Sequence, residues 1–246
     1  MNPRVLVFLP TYNESGNIGR LLDELLALEC RPDVLIIDDQ SPDGTGRIAA
    51  ERAVAEPRVH AVSRPAPRGR GLAGRDGFRW FQEHPEFDVL VEMDADFSHQ
   101  PKFIPAIVRA LVETPADVVV GSRFATGGGE TGRPASRVWI SRLANTYLRF
   151  VFRTRLGDCT SGFRAFTQGA LAGIDFTRYE SKGPTIVTEV GFDMIRRRRR
   201  IAEVPILFEE RVWGDSKLSG GILARSLVYP LKLRFRRLFS ENNCHR

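Results

Sequence analysis

The sequence predicts an α/β protein built on a doubly wound, mostly parallel β-sheet with flanking helices. Residues 5–62 alternate short apolar runs with helical patterns in the order β-α-β-α-β, which is typical of parallel strands joined by right-handed crossovers. The chain has 246 residues, of which 42% are hydrophobic and 27% charged. That length and composition suit one large globular domain with a full core, or two small ones.

The amino-terminal half is predicted from its apolar runs and turn residues. The apolar run from Val5 to Leu9 predicts a strand covered on both faces, and Pro10, which has no N–H donor, is expected to end it. Residues 64–77 are rich in Arg, Gly and Pro, so we expect a mobile loop there, leading into a helix through Phe78 and Phe81. The other predicted elements are a helix from Asn17 to Leu28, a strand from Val34 to Ile37, a helix from about Gly46 to Val54, a strand from Val59 to Val62 and a strand from Phe87 to Val91.

The carboxyl-terminal half continues the alternation less regularly. Residues 126–132 are glycine-rich and are expected to be flexible, and Pro205 should place the last strand at an edge or a bulge. The predicted elements are a helix from Lys102 to Val112, a strand from Asp117 to Gly121, a helix from Ser136 to Arg149, a short strand near Phe166, a helix from Thr188 to Arg199 and a strand from Ala202 to Phe208.

The stretch from Gly220 to Phe239 predicts a basic amphipathic helix with a kink at Pro230. Such helices lie in the interface of anionic membranes, although a helix docked on the protein's own core is an equal alternative. We therefore divide the chain into a domain of residues 1–218 and a basic tail of residues 219–246, and we find no apolar run long enough to span a bilayer.

The charge balance indicates an anionic partner. The formal net charge is +6, which suits a nucleic acid, an acidic membrane surface or a phosphorylated substrate. No docking motif with stacking aromatic residues accompanies the basic residues, so we expect no nucleic-acid partner. The three cysteines are scattered without a pairing pattern, which fits a reducing cytoplasm.

Two acids directly follow the strand that ends near Val91. Asp94 and Asp96 lie one residue apart, and leaving two like charges unpaired beside a buried strand costs several kcal/mol for each. A hard divalent cation, Mg²⁺ or Mn²⁺, removes that cost because it takes oxygen ligands and bridges carboxylates to phosphates. The alternative is a polar turn in which both side chains cap the following helix.

Further charged residues lie at the same expected edge of the sheet. Glu14, Asp38 and Asp39 also follow predicted strands, and a nucleotide with a metal-bound diphosphate would relieve their repulsion. A helix cap and an Asx-turn explain Asp38 and Asp39 equally well. Arg123 ends another strand, where it could hold a phosphate or form a surface ion pair. Arg68, Arg70 and Arg75 could approach phosphates or belong to a solvated basic loop.

These residues form an ordered set of motifs. The chain resembles the inverting family 2 glycosyltransferases, and within them the dolichyl- or polyprenyl-phosphate mannosyltransferases, from about residue 5 to 218. The motifs that carry the resemblance are Pro10-Thr11-Tyr12-Asn13-Glu14, Asp38-Asp39 through Thr45, Met93-Asp94-Ala95-Asp96 with Ser98-His99, Gly121-Ser122-Arg123, Thr160-Ser161-Gly162-Phe163-Arg164, and Glu203 through Arg211 and Ser216-Lys217-Leu218.

The resemblance implies a GT-A fold, GDP-mannose as donor, a polyprenyl phosphate as acceptor, Mg²⁺ or Mn²⁺ as cofactor, and a peripheral position on the cytoplasmic face of a membrane. Asp96, Arg123 and Arg137 would be catalytic, and the two arginines would bind the acceptor phosphate. The other residues carried over by position are Pro10, Tyr12, Glu14, Ile37 and Asp39 for the nucleoside, Asp94, Ala95 and Asp96 for the donor, Asp94, Asp96 and Ser98 for the metal, and Lys182, Arg211 and Lys217 for the diphosphate.

Three positions depart from the family pattern. Ser98 stands where some members have Gln, so water is expected to complete the metal's ligands. The run from Gly71 to Gly77 differs from the usual Gly-Leu-Gly sequence, and Gln40 replaces a smaller residue. The resemblance therefore does not predict which groups the glycine-rich run contacts.

A phosphate acceptor simplifies the expected chemistry. Its second pKa is about 6, so it is mostly dianionic at neutral pH and needs no general base. Direct in-line attack would invert the anomeric centre. The alternatives are a UDP-glucose donor, a sugar hydroxyl acceptor, a nucleotidyltransferase, or a non-enzymatic basic module that binds membranes or nucleic acid.

Overall fold

A computed structural model describes residues 3–210 and 227–235. The strands in these residues are β1 (Val5–Thr11), β2 (Asp33–Asp38), β3 (Val59–Ser63), β4 (Val89–Glu92), β5 (Val118–Ser122), β6 (Gly129–Thr131), β7 (Arg164–Thr167), β8 (Ile201–Pro205) and β9 (Leu207–Glu209). Seven of them form one sheet in the order β3-β2-β1-β4-β7-β5-β8, in which only β7 is antiparallel to its neighbours. Strands β6 and β9 pair as a separate small sheet. The predicted doubly wound α/β class is confirmed.

Helices cover both faces of the sheet. They are α1 (Ser15–Leu26), α2 (Thr45–Ala55), α3 (Arg70–Glu83), α4 (Ile104–Glu113), α5 (Ala135–Phe152), α6 (Gln168–Leu171), α7 (Ile186–Arg196) and α8 (227–235). Strand β1 shows why two layers are needed, since Leu6 and Phe8 pack in one core and Val5, Val7 and Leu9 in the other. Alternate side chains of a strand point to opposite faces, so a wholly apolar strand must be covered twice.

Pro10 does not end β1, contrary to prediction. The strand continues through Thr11, and Pro10 lies opposite Ile37 in the ladder with β2. Pairing with β4 stops at Phe8, so the missing N–H of Pro10 falls where β1 has only one neighbouring strand.

The prediction of a mobile loop over residues 64–77 was wrong in its second half, because α3 already begins at Arg70. Glycines inside a helix usually weaken it, but here they permit close packing. A Cβ on Gly77 would overlap the Phe8 ring, and one on Gly71 would overlap the Ser181 carbonyl oxygen. The glycine-rich run is therefore a helix face pressed against β1 and the segment before α7.

The glycine-rich segment 126–132 also differs from its prediction. Residues Gly129–Thr131 form β6, which pairs in parallel with β9. Pro205 does interrupt the last strand as expected, since β8 ends there at the edge of the main sheet and β9 begins two residues later.

Helix α8 docks on the rest of the molecule. Leu233 is buried in the core beside α5, Arg234 Nη1 donates to the Val151 carbonyl at 2.8 Å, and Lys232 Nζ lies 3.1 Å from Glu180 Oε2. No helix in residues 3–210 or 227–235 combines the length and hydropathy that a membrane span needs.

Candidate active site

A cavity of about 570 Å³ opens beyond the carboxyl ends of β1 and β4. Between these two strands the strand order reverses, which is where open α/β sheets bind their ligands. The lining residues are Pro10, Thr11, Tyr12, Glu14, Asp39, Arg68, Gly69, Arg70, Ala73, Asp94, Ala95, Asp96, Thr160, Gly162, Lys182, Gly183, Pro184 and Val187. The loops after β1, β2 and β4 thus deliver their polar side chains to a single space.

Eight predicted site residues meet at this wall: Pro10, Tyr12, Glu14, Asp39, Asp94, Ala95, Asp96 and Lys182. Asp39 is held rigidly there. Its Oδ1 accepts from Arg64 Nη1 at 2.6 Å and its Oδ2 from the Gly69 N–H at 2.5 Å. The carboxylate therefore joins the end of β2 to the start of α3.

Asp38 behaves differently from its neighbour. Its Oδ1 accepts from Thr11 Oγ1 at 3.0 Å and from Ser41 Oγ at 2.6 Å, and its Oδ2 accepts from the Ser41 N–H at 2.9 Å. It does not line the cavity. The turn interpretation therefore describes Asp38, whereas Asp39 faces the cavity.

The two acids in the loop after β4 differ in their exposure to solvent. Asp96 is 4% exposed and its Oδ1 accepts from Ser98 N at 3.1 Å and Ser98 Oγ at 2.6 Å, while the Asp94 side chain is 37% exposed. Ser98 thus orients Asp96 from behind the wall rather than lining the cavity itself.

His99 holds the backbone of this loop. Its Nδ1 accepts the Asp94 N–H at 3.1 Å, and its ring stacks on Phe163 with centroids 5.1 Å apart. Burial lowers the pKa of His99, which favours the neutral imidazole that this acceptor role requires. The imidazole therefore fixes the backbone that carries both acids.

Arg70 forms ion pairs with Glu92, the last residue of β4, and with Asp94 in the loop that follows. Its Nη2 lies 2.9 Å from Glu92 Oε1 and 3.3 Å from Asp94 Oδ1, and Nη1 has no hydrogen-bond partner within the described part of the chain. Burial acts to lower the pKa of Arg70, but the charges of Glu92 and Asp94 outweigh it and raise the pKa. Arg70 therefore stays charged and balances a buried carboxylate at the cavity wall.

Lys182 reaches the wall on a segment that α3 and α7 hold in place. The Gly71 N–H donates to the Lys182 carbonyl at 3.1 Å, and Glu189 accepts the backbone N–H groups of Glu180 and Ser181 at 3.2 and 3.1 Å. The position of Lys182 is thus set by its backbone.

The structure does not bring four predicted residues to the cavity wall. Ile37 is buried in the core, and Ser98 lies behind Asp96. Arg123 is buried, with Nε 2.7 Å from Asp158 Oδ2 and Nη2 2.6 Å from the Thr160 hydroxyl. Arg137 pairs with Glu210 at 2.5 Å. Arg123 therefore touches the wall only through Thr160, because the buried Asp158 carboxylate requires its charge.

Two predicted residues, Arg211 and Lys217, lie outside the described residues. Sequence reasoning gave no role to Thr160, Gly162, Pro184 and Val187, which line the cavity. The Thr160–Arg164 motif is a signal for Thr160 and Gly162, whereas Pro184 and Val187 lie in no motif. The loop of this motif reaches the wall because β7 inserts between β4 and β5.

The donor set at the wall suits a hard cation. No group of three or more His, Cys, Asp or Glu side chains capable of holding a metal occurs in residues 3–210 and 227–235. Asp94 and Asp96 would supply two carboxylates, and Mg²⁺ or Mn²⁺ takes its remaining oxygen ligands from phosphate and water.

The chain matches the family model "Glycosyl transferase family 2" over residues 6–174. It is 44% identical over 225 residues to the undecaprenyl-phosphate mannosyltransferase of Micrococcus luteus, covering 92% of this chain and 91% of that protein. It is 38% identical over 225 residues to the polyprenol monophosphomannose synthase of Mycolicibacterium smegmatis, covering 91% and 84%.

The fold also resembles solved structures. One is glucosyl-3-phosphoglycerate synthase from Mycobacterium tuberculosis in complex with Mn²⁺, UDP and phosphoglyceric acid, with a TM-score of 0.67, 19% identity and coverage of 94% of this chain and 78% of that one. The complex of that enzyme with UDP gives a TM-score of 0.65 at 20% identity, covering 94% and 80%. At this identity the likeness establishes the GT-A fold. The family match and the two relatives show that the chain is a glycosyltransferase and belongs to glycosyl transferase family 2.

Proposed function

We propose that the protein transfers mannose from GDP-mannose to a polyprenyl monophosphate, with inversion at the anomeric carbon. The observation that carries the proposal is the convergence of Glu14, Asp39, Asp94 and Asp96 on one cavity at the strand-order reversal. The names of the two relatives supply the sugar and the acceptor class.

The acidic end of the cavity suits the nucleoside. The Asp39 carboxylate, immobilised by Arg64 and the Gly69 N–H, presents a fixed acceptor for N–H or O–H donors of a base or ribose. Tyr12 and Glu14 border the same space. A fixed acceptor discriminates between nucleosides, because a ligand without the matching donor leaves the acceptor unpaired.

The part of the wall that carries Asp94 and Asp96 suits the diphosphate. Asp94 and Asp96 would hold Mg²⁺ or Mn²⁺, which supplies positive charge to the departing diphosphate when bound. Lys182 adds a cationic side chain to the cavity wall, whereas Arg68 lies over the Tyr12 ring in the nucleoside part. The two acids and Lys182 therefore bind and orient a group that gains negative charge as the glycosidic bond breaks.

The acceptor needs cations rather than a base, because a phosphate monoester is already mostly ionised at neutral pH. We assign it to the side of the cavity beyond Thr160. Arg123 lies directly behind Thr160, and Arg137 is half-exposed with Glu210 as its present partner. An acceptor phosphate would thus compete with Glu210 for Arg137.

We further propose that the protein works peripherally at the cytoplasmic face of a membrane, with residues 219–246 as a contact region beside the catalytic domain of residues 1–218. Support comes from the basic character of the tail and from exposed Leu227, Val228 and Leu231 on α8. Such a position brings a soluble donor and a lipid phosphate to one site.

The deciding experiment is a donor panel. Purified protein receives polyprenyl phosphate with GDP-mannose or UDP-glucose, each with and without EDTA, and the lipid product is isolated and its anomeric configuration read by NMR. We expect EDTA-sensitive transfer from GDP-mannose with inversion. Transfer from UDP-glucose alone, or a product that keeps the donor's configuration, would overturn the proposal.

A further inference from the structure

Arg70 occupies a position that its own helix does not favour. It is the first residue of α3, and the amino-terminal end of a helix carries a partial positive charge that disfavours a cation. Its guanidinium instead reaches the end of β4, where it pairs with Glu92 and Asp94. Arg70, Asp94 and Asp96 all line the cavity beyond β1 and β4. The acids at the cavity wall therefore account for an arginine here.

The two carboxylates hold Arg70 unequally. Nη2 lies 2.9 Å from Glu92 Oε1, and the Glu92 side chain is 1% exposed. Asp94 Oδ1 lies 3.3 Å from Nη2 and 3.4 Å from Nε, and the Asp94 side chain is 37% exposed. A short bond to a buried acid is costly to break, whereas water and other ions compete for an exposed acid. Arg70 is therefore able to release Asp94 while it keeps Glu92.

Asp94 is the point at which two positive charges meet. We place Mg²⁺ or Mn²⁺ on Asp94 and Asp96, but Arg70 already supplies a positive charge to Asp94. A guanidinium repels a divalent ion bound beside it, and the two cations compete for the same carboxylate. Before a nucleotide binds, Arg70 therefore weakens the binding of the metal ion.

An arginine that releases Asp94 needs another anion. The charges of Glu92 and Asp94 raise the pKa of Arg70, so its own charge persists. Its Nη1 has no hydrogen-bond partner in residues 3–210 and 227–235, which leaves the guanidinium with an unused N–H group. The diphosphate of a nucleotide sugar is an anion of the right chemistry, since a guanidinium binds phosphate oxygens through two parallel hydrogen bonds.

We propose that Arg70 couples the binding of the metal ion to the binding of the sugar donor. In the free protein the guanidinium neutralises Asp94. When the diphosphate enters the cavity it binds the guanidinium, and Asp94 becomes available to the metal ion. The inference rests on the proposed function, because it needs a nucleoside diphosphate in this cavity. Coupling of this kind is reciprocal, so it affects both binding equilibria.

The test measures the two equilibria separately, by calorimetric titration of the full chain. Mn²⁺ is titrated in the absence of nucleotide, and GDP is titrated in the presence of EDTA. The variant is Arg70→Gln. The matched control is Arg79→Gln, which removes an exposed arginine of the same helix that pairs with Glu83. Circular dichroism at the temperature of the titration establishes that both variants are folded.

We expect Arg70→Gln to bind Mn²⁺ about tenfold more tightly than wild type, and GDP about tenfold more weakly. Arg79→Gln should change neither affinity. The opposite signs separate coupling from a structural role, because a distorted site would bind both ligands more weakly. A Mn²⁺ affinity that is unchanged or lower in folded Arg70→Gln, or an unchanged GDP affinity, would overturn the proposal.

Asp94→Asn gives a second test that leaves the pair of Arg70 and Glu92 intact. Because Arg70 is then released, this variant should bind GDP in EDTA about tenfold more tightly than wild type, although it binds Mn²⁺ more weakly. The gain in GDP affinity should disappear when Arg70→Gln is added. No gain, or an equal gain with and without Arg70, would overturn the proposal, since Asp94 would then act on the nucleotide independently of Arg70.

Titrations with UDP separate this inference from the proposed function. The coupling depends on the diphosphate and not on the base. Wild-type protein that binds UDP in preference to GDP would count against GDP-mannose as the donor, whereas the same opposite shifts measured with UDP would still support the coupling. Wild-type protein that binds neither nucleotide would overturn both proposals.

Discussion

Arg70 Nη2 lies 2.9 Å from Oε1 of Glu92, and the Glu92 side chain is only 1% exposed. An ionised carboxylate in such a place needs a cation, because burial removes its hydration. Arg70 also reaches Asp94 on the cavity wall. One guanidinium therefore stabilises the end of β4 and sets the charge of the candidate metal site.

We predict that Arg70→Gln lowers the free energy of unfolding by roughly 3 kcal/mol, because it leaves Glu92 buried without its partner. Urea unfolding at neutral pH measures the change. The double variant Arg70→Gln with Glu92→Gln should recover only part of the loss, since it removes the stranded carboxylate but also takes a nearby negative charge from the buried Arg164, which faces Glu92 across the β4–β7 ladder. If the double variant is less stable than Arg70→Gln alone, the charge of Glu92 matters more to Arg164 than to Arg70.

The pair of Arg123 and Asp158 should make stability depend on pH. Burial alone would raise the pKa of Asp158, but the hydrogen bonds and charge of Arg123 outweigh it and hold the pKa below its usual value. A carboxyl with a lowered folded-state pKa stabilises the protein above its unfolded pKa of about 3.9. That stabilisation disappears as the pH falls through the folded pKa.

Asp158→Asn should therefore cost about 3–5 kcal/mol at neutral pH, and the difference from wild type should shrink below about pH 4. Urea unfolding of both proteins between neutral and acidic pH tests this. A difference that stays constant over that range would show that the ionised state of Asp158 contributes nothing.

The close approach of α3 to β1 gives a prediction about glycine. Gly77→Ala should destabilise the protein by about 1–3 kcal/mol, because the new methyl group overlaps the buried Phe8 ring. Gly19→Ala on α1 is the matched control: a methyl group added there would meet no atom within 4 Å, so a gain of about 0.5–1 kcal/mol is expected. Thermal melting of both variants decides the matter, and equal losses would mean that the ring does not resist the methyl group.

These glycines also mark the limit of the sequence analysis. Strands such as β1 and β2 are predicted well because both faces are apolar and turn residues follow them. The sequence analysis misses the start of α3 because glycine-rich runs are typical of loops. Here glycine is required because the helix packs against Phe8 and Ser181, which are far away in sequence. Local patterns carry no information about such contacts.

The sequence likewise predicts the position of some residues of the candidate site and not of others. Residues at the ends of β1, β2 and β4 converge because parallel strands share an edge, so Glu14, Asp39 and Asp96 were predictable. Arg123 also follows a strand of this edge, yet it turns to Asp158 instead of the cavity. The Arg123 guanidinium points to Asp158 because a buried carboxylate requires a charged partner.

Asp96 should be essential for transfer. Asp96→Ala should abolish formation of the mannosylated lipid and also weaken Mn²⁺ binding by at least about tenfold, because it removes one of the two carboxylates, Asp94 and Asp96, that we propose hold the ion. Calorimetric titration with Mn²⁺ supplies a readout independent of turnover. Asp38→Asn is the control, since Asp38 lies in the turn outside the cavity and should leave Mn²⁺ affinity unchanged. Near-normal turnover of Asp96→Ala would refute the role.

The ion pair of Arg137 and Glu210 gives the sharpest test of the acceptor side. Glu210→Gln should lower the KM for polyprenyl phosphate, because it frees Arg137, together with Arg133, from a carboxylate that competes with the acceptor. Arg137→Gln should raise the same KM by about tenfold, the effect of losing roughly 1.4 kcal/mol of charge-assisted hydrogen bonding. The KM for GDP-mannose should not change in either variant, since neither residue lines the donor cavity.

Arg109→Gln, which changes an exposed arginine on α4, controls for the loss of one positive charge. Opposite shifts in acceptor KM from the two variants would place the acceptor phosphate at Arg137, whereas a shift confined to the donor would remove Arg137 from the acceptor side.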